Sequence, residues 1–86
     1  MSKQKEIIAR DYMSSEGLYY CWKEDKAADD SERSYNMAIL LGACRAYARV
    51  FEDLFDETIG EYICHFADAG DVDYQRYTGI WKKGIL

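Results

Sequence analysis

Proline is absent from this 86-residue chain, and only six glycines are available to interrupt regular structure. Breaks between helices must therefore come from glycine, or from Asp, Ser and Thr side chains that accept hydrogen bonds from the first backbone N–H groups of a helix. The chain also has no internal repeat and no low-complexity segment. We expect one folded domain over residues 1–86, with short connections between its elements.

Long hydrophobic runs are missing as well. No stretch reaches the roughly 18 apolar residues of a membrane span, and the N-terminal segment turns amphipathic at once, without the apolar core of a secretory signal. The three cysteines, Cys21, Cys44 and Cys64, lie 23 and 20 residues apart, unlike the closely spaced pairs of a secreted disulfide framework. These features predict a cytoplasmic protein with reduced thiols.

Catalytic and metal-binding motifs are lacking too. The one histidine, His65, follows Cys64, but neighbours on a helix point about 100° apart and do not form a nucleophile–base pair. No glycine-rich phosphate loop, GxSxG or HExxH motif occurs, and no close pair of cysteines suits zinc. A calcium loop beginning at Asp71 fails because Arg76 and Lys82 stand where glycine and glutamate are needed. We expect a non-catalytic protein without a cofactor or metal ion.

The chain does contain the material for a core, with two Trp, eight Tyr and three Phe spread along its length. A chain of this size buries roughly 60–65% of its unfolded surface, which is enough for one modest core. Apolar residues recur at spacings of three and four, as on one side of a helix. The sequence therefore predicts an all-α fold, a bundle of four or five helices around one long central helix at about residues 31–57.

The N-terminal third is predicted to form two short helices. The first begins at residue 2 or 3 and reaches about Ser14, and Gly17 stops it, because glycine adopts the left-handed conformation that ends helices. The aromatic run at 18–22 follows, and its spacing is compatible with a helical turn or a strand. We favour a second short helix that extends toward Ala28.

The long central helix is predicted to begin within Asp29–Glu32, at about Ser31, because this segment supplies short acceptors and acids at the positive end of the helix dipole. Two neighbouring stripes are expected to be buried: Ile39, Ala43, Ala46, Val50 and Leu54, and beside them Leu40, Cys44, Tyr47, Phe51 and Phe55. The other side is polar, with Arg45, Arg49, Glu52 and Asp56. Ala38 and Gly42 continue that side with small residues, where another helix could approach closely.

The C-terminal third has clear helix signals. Thr58 fits a capping box, and the residues after it have the most regular amphipathic spacing in the chain, which Gly70 closes. Asp71 or Asp73 is expected to cap a last short helix that carries Tyr74 and Tyr77. The apolar and basic tail at 79–86 is expected to fold back on the core.

The charges are unevenly distributed. Residues 1–28 carry five charges of each sign, residues 29–73 carry three positive and eleven negative charges, and residues 74–86 carry three positive charges only. Direct nucleic-acid binding is disfavoured, because the net charge of −5 opposes contact with phosphates. Ion pairs with Glu52 and Asp53 on the same helix surface explain the presence of Arg45 and Arg49 more simply than contacts with nucleic acid do.

The acidic middle of the chain is the candidate functional feature. Acids at the C-terminal end of the long helix lie at the negative end of its dipole, where they do not help stability, so binding would explain them. A folded acidic face can imitate nucleic-acid phosphates and occupy a basic groove, and Tyr and Trp are frequent interface anchors. The predicted partner-binding residues are Glu52, Asp53, Asp56, Glu57, Glu61, Asp68, Asp71 and Asp73, with Tyr74, Tyr77 and Trp81 as anchors.

In smallness, acidity and lack of catalytic equipment, the chain resembles in kind the phage-encoded inhibitors that block host nucleases, including anti-CRISPR proteins. No sequence motif carries this resemblance. The resemblance implies that the protein is an inhibitor or adaptor of a basic nucleic-acid-binding protein. Two alternatives stay open. The acids form only a solvated face, or the protein is a structural or homo-oligomerising helical protein that pairs through an apolar patch including Trp22, Trp81 and the tail at 85–86.

Overall fold

The computed structural model describes residues 3–76, which contain four α-helices and no strand. The helices are α1 (Lys3–Glu24), α2 (Asp30–Phe55), α3 (Ile59–Asp68) and α4 (Val72–Arg76). The predicted all-α fold is confirmed, and the 26-residue α2 is the predicted long central helix, with both ends within two residues of the expected positions. The predicted fold-back of the tail at 79–86 lies outside the described residues.

Helix α1 corrects the prediction of two short helices. It continues without interruption through Gly17, and the aromatic run at 18–22 forms its later turns before it ends at Glu24. Tyr12, Glu16 and Tyr19 follow each other at spacings of four and three, so the buried face stays in register across the glycine. A glycine inside a helix costs about 1 kcal/mol relative to alanine. Burial of Tyr19 outweighs that cost, since a large apolar side chain gains about 1.5–3 kcal/mol.

An aspartate lies at each end of α2. The Oδ2 atom of Asp29 accepts hydrogen bonds from the backbone N–H groups of Ser31 and Glu32, at 3.1 and 3.3 Å, which confirms the predicted helix start. Asp56 adopts the left-handed conformation with φ of 51°, and its N–H donates to the carbonyl oxygen of Glu52 at 3.0 Å. This turn ends α2 and leads to α3 after only two more residues.

The predicted start and end of α3 are confirmed. The side-chain oxygen of Thr58 accepts a hydrogen bond from the N–H of Glu61 at 3.1 Å. At the other end Gly70 has φ of 98°, a conformation that glycine adopts without strain. The Oδ1 atom of Asp71 then accepts from the N–H of Asp73 at 3.1 Å, where α4 begins.

The two long helices run antiparallel, because Lys5 near the start of α1 meets Glu57 just beyond the end of α2, and Tyr12 meets Cys44 further along. Helix α3 packs against both, and α4 packs against α3. The buried core draws on all four helices and consists of Ala9, Tyr12, Met13, Tyr19, Cys44, Phe51, Ile59, Ile63, Ala67 and Tyr74.

Only one of the two stripes predicted to be buried on α2 faces the core. Cys44 and Phe51 are fully buried, and Leu40, Tyr47 and Phe55 pack against the core. The other prediction was wrong, because Ile39, Val50 and Leu54 are 52%, 47% and 62% exposed. Successive residues of a helix point about 100° apart, and the core covers the side of α2 that carries Cys44, so the neighbouring stripe stays in solvent.

Candidate interaction surfaces

Six of the eight predicted partner-binding acids are exposed, and none of the six forms an ion pair with a described residue. They are Glu52 and Asp53 in the last turn of α2, Asp56 at its C-cap, Glu61 and Asp68 on α3, and Asp73 on α4. On α3, Glu61 and Asp68 are seven residues apart, which is two helical turns, so both carboxylates lie on the same side of the helix. These acids present their charge to solvent.

The two remaining acids have roles inside the molecule. The Oε2 atom of Glu57 accepts a hydrogen bond from Nζ of Lys5 at 2.9 Å, and the two side chains are about 30% and 27% exposed. The same ammonium group lies over the Phe55 ring, 5.4 Å from its centroid. Asp71 is half-buried and caps α4. We therefore leave Glu57 and Asp71 out of the candidate surface.

Tyr74 does not match its predicted role as an anchor for a partner. It is 3% exposed, and its ring stacks on Phe66 at 5.1 Å between centroids, with Tyr62 at 6.1 Å. The guanidinium of Arg10 lies 5.9 Å from the centre of the same ring. Tyr74 thus joins α4 to α3 and α1, because its ring packs on Phe66, Tyr62 and Arg10 of those helices. The other two predicted anchors, Tyr77 and Trp81, lie outside the described residues.

The expected pairing of Arg45 and Arg49 with neighbouring acids is not observed among the described residues. Arg45 and Arg49 line one concavity on α2 together with Glu52 and Asp53, but no nitrogen–oxygen distance among these four side chains is short enough for an ion pair. The face of α2 that carries the acids therefore also presents two guanidinium groups that form no ion pair within residues 3–76.

A groove of about 730 Å³ lies between α1 on one side and α3 and α4 on the other. Its lining combines cations, acids and aromatic rings: Lys3, Lys5, Glu6, Arg10, Tyr62, Phe66, Asp71 and Tyr74. Two of the cations have partners within the chain. Arg10 donates to Oε1 of Glu6 at 3.1 Å, and Lys5 is held by Glu57. The sequence did not indicate this groove, because its lining comes from segments about 60 residues apart.

The outer side of α2 carries a second surface, formed by apolar residues. Tyr35 is 68% exposed, and Ile39, Val50 and Leu54 continue the same side of the helix toward its C-terminal end. Leu54 lines a shallow concavity together with Ile7 of α1, which is also exposed. Single exposed apolar side chains are common, but a contiguous row of them marks an interaction site in many proteins.

The core contains one charged residue that the sequence did not single out. Glu16 is 1% exposed, because it lies between Tyr12 and Tyr19 on the buried face of α1. Its charge contributes to raising the pKa of the Tyr12 hydroxyl and of the Cys44 thiol, where burial is the larger cause and raises the pKa of Cys44 to about 12. Both groups are therefore neutral at physiological pH.

The described residues give no sign of a metal site or a membrane span. No group of three or more His, Cys, Asp or Glu side chains comes together there in a way that could hold a metal ion. None of the four described helices combines the length and the apolar character needed to cross a bilayer. All three cysteines are free thiols: Cys21 is exposed, Cys64 is half-buried and Cys44 is buried.

Comparison of the chain with protein-family models, with curated proteins and with solved structures finds no match. The interpretation of its function therefore depends on its own residues and surfaces.

Proposed function

We propose that this protein is a non-catalytic protein-binding module that docks through its acidic surface on a basic, nucleic-acid-handling protein, as an inhibitor or adaptor. The observation that carries this proposal is the set of six exposed acids without an ion-pair partner among the described residues. Such carboxylates create a negative potential that attracts a basic partner and competes with phosphates for its groove. The phage-encoded nuclease inhibitors, which the chain resembles in kind, are the concrete form of this proposal.

The position of three of these acids adds support. Glu52, Asp53 and Asp56 lie at the C-terminal end of α2, and no basic residue stands in its last turn. The helix dipole is negative there, so each acid costs a few tenths of a kcal/mol. A charge pattern that local stability disfavours is explained when the acids serve binding.

The test is affinity capture with the tagged protein from a lysate of the cells that the sequence comes from. Bound proteins are eluted from one sample by a salt step and from a parallel sample by excess duplex DNA. The proteins in each eluate are identified by mass spectrometry. We expect one basic nucleic-acid-binding protein in both eluates, because salt screens the carboxylates and DNA competes for the same groove.

Two variants with the same change in net charge localise the interaction. Glu52→Gln, Asp53→Asn and Glu61→Gln together neutralise three of the six acids of the candidate surface, and we expect them to abolish capture. Asp11→Asn, Glu24→Gln and Glu32→Gln together neutralise three exposed acids elsewhere, and capture should survive. Equal loss in both variants would show that net charge matters rather than this surface, and capture by the first variant would reject the proposal.

A further inference from the structure

We propose that a second copy of this chain docks on the outer side of α2, so that two α2 helices pack antiparallel about a twofold axis. The contact surface, named here the outer stripe, consists of Tyr35, Ile39, Ala43, Ala46, Val50 and Leu54. This proposal does not depend on the acidic surface, because the contact is made by apolar residues of α2, and Asp53 only borders them.

The outer stripe is exposed although a fully folded core lies on the other side of the same helix. Its four large members are each about half exposed or more, whereas Cys44 and Phe51 on the neighbouring stripe are completely buried. Ala46 is exposed and Ala43 is half-buried, so the middle of the stripe is narrow and flat. From Tyr35 to Leu54 the stripe is about 28 Å long, since a helix rises about 1.5 Å per residue.

The spacing of the outer stripe is symmetric about its own midpoint. Successive members are 4, 4, 3, 4 and 4 residues apart, and the order of sizes is also nearly symmetric, with large residues at both ends and alanines in the middle. A twofold axis at this midpoint places Ile39 of one copy against Val50 of the other. In the same arrangement Tyr35 meets Leu54. A twofold contact needs a surface that is complementary to itself, and a stripe with this symmetric pattern meets that requirement.

Gly42 provides a second observation at the same place. It is exposed in the interior of α2, and a Cβ atom built on it meets no other atom within 4 Å. Glycine destabilises a helix interior relative to alanine, and no contact with residues 3–76 requires it here. Close approach of a second helix beside the outer stripe explains it, since small residues let two helix axes come to about 8 Å.

The charges beside the outer stripe are compatible with this pairing. Arg49 and Asp53 follow one edge of the stripe on the C-terminal side of its midpoint, and the same edge on the N-terminal side carries Ala38 and Gly42. In an antiparallel twofold pair the two halves of an edge face each other. Arg49 of each copy therefore lies opposite the small residues Ala38 and Gly42 of the other, and Asp53 lies near its Tyr35, so neither charge meets a like charge.

The exposed apolar area is enough for a small interface. Tyr35 and the three aliphatic residues of the outer stripe, with the adjoining Ile7, expose roughly 350 Å² of apolar side chain per copy. The smallest specific interfaces bury about 1,200 Å² in total, or about 600 Å² per copy, of which somewhat more than half is apolar. The outer stripe reaches this lower limit, so we expect a reversible dimer with a dissociation constant between about 1 μM and about 1 mM.

The test is sedimentation equilibrium of the whole chain from about 10 μM to about 1 mM, in low salt and in about 1 M NaCl. We expect the average mass to rise from monomer toward dimer with concentration, and the rise to persist in high salt because the contact is apolar. A monomer throughout this range overturns the proposal. A dimer that dissociates in high salt also overturns it, because that contact would be made by charges.

Paired variants test the antiparallel alignment. Ile39→Lys and Val50→Glu each place a charge in the outer stripe, and we expect each to weaken the dimer at least about tenfold. Mixing the two proteins should restore association, because the new lysine of one then faces the new glutamate of the other. Each replaced residue is about half exposed, so the monomer fold is kept, which far-UV circular dichroism checks.

Two matched controls accompany these variants. Ser34→Lys adds a charge to α2 away from the outer stripe, and Val72→Glu replaces an exposed apolar residue of α4 by an acid. Both should dimerise like the unmodified protein. If either control loses the dimer to the same extent, or if the mixture of Ile39→Lys and Val50→Glu stays monomeric, the proposed contact is wrong. Loss of the dimer leaves the capture by the acidic surface untouched, so the two proposals fail separately.

Discussion

The thiol of Cys44 lies 3.9 Å from the backbone carbonyl oxygen of Tyr12, and neither residue has any exposed surface. This contact joins the two long helices inside the core. Burial raises the pKa of Cys44 to about 12, and the nearby charge of Glu16 acts in the same direction. The thiol is therefore protonated at neutral pH and can donate to the carbonyl group.

This environment predicts unequal reactivity of the three cysteines toward Ellman's reagent at neutral pH. Cys21 is exposed and should react at once, the half-buried Cys64 should react more slowly, and Cys44 should react only when the chain is unfolded by denaturant. Cys21→Ser should remove the fast phase alone. Rapid reaction of three thiols in the native protein would contradict the burial of Cys44.

The two sides of α2 should respond differently to truncation. Phe51 is fully buried, so Phe51→Ala should lower the free energy of unfolding by about 3–5 kcal/mol. Leu54 is 62% exposed on the outer stripe, and Leu54→Ala should change it by no more than about 0.5 kcal/mol in the monomer. Urea denaturation at low protein concentration measures both, and similar losses at the two positions would place the core on the wrong side of α2.

The turn at Asp56 predicts a graded series of stabilities. Its φ of 51° lies in the left-handed region, which glycine and asparagine tolerate and β-branched residues avoid. We expect Asp56→Gly to raise the free energy of unfolding by up to about 1 kcal/mol, and Asp56→Val to lower it by about 1–2 kcal/mol. Asp56→Asn should stay close to the original value. Equal stability of the glycine and valine variants would show that the left-handed turn is absent.

The helix ends that the sequence predicted correctly depend on local chemistry. Asp29 and Thr58 each cap a helix within three residues of their own position, so a short stretch of sequence contains the whole signal. Gly17 looked like the same kind of signal, but the packing of Tyr19 against the core keeps α1 helical there. That packing depends on residues far away in the chain, which a local pattern does not include.

The candidate surfaces show the same difference between local features, which the sequence predicts, and features that depend on distant residues, which it does not. The sequence showed where acids are concentrated, and six of the eight are exposed as a hydrophilic side predicts. It did not show that Glu57 is held by Lys5, because the two residues are 52 positions apart. It also placed the outer stripe from Ile39 to Leu54 inside, because both apolar stripes of α2 have helical spacing and only the packing of α1 and α3 decides which one is covered.

The buried hydroxyl of Tyr74 predicts how stability depends on alkaline pH. Burial, with a smaller effect of Tyr62, raises the pKa of Tyr74 from its ordinary value of 10.0 to about 12. Between these values the unfolded chain loses this proton while the folded chain keeps it, so the free energy of unfolding should fall as pH rises through this window. The contribution of Tyr74 is complete below pH 10, and Tyr74→Phe should make the decline less steep.

Urea denaturation at about pH 9 and at about pH 11 measures this decline. Tyr35→Phe is the matched control, because Tyr35 is exposed and its hydroxyl already lies in water, so this variant should keep the original slope. A residual decline is expected in Tyr74→Phe, because burial also raises the pKa of Tyr12. If Tyr74→Phe and Tyr35→Phe lose stability equally between the two pH values, Tyr74 is in solvent, and its exclusion from the partner-binding surface has to be withdrawn.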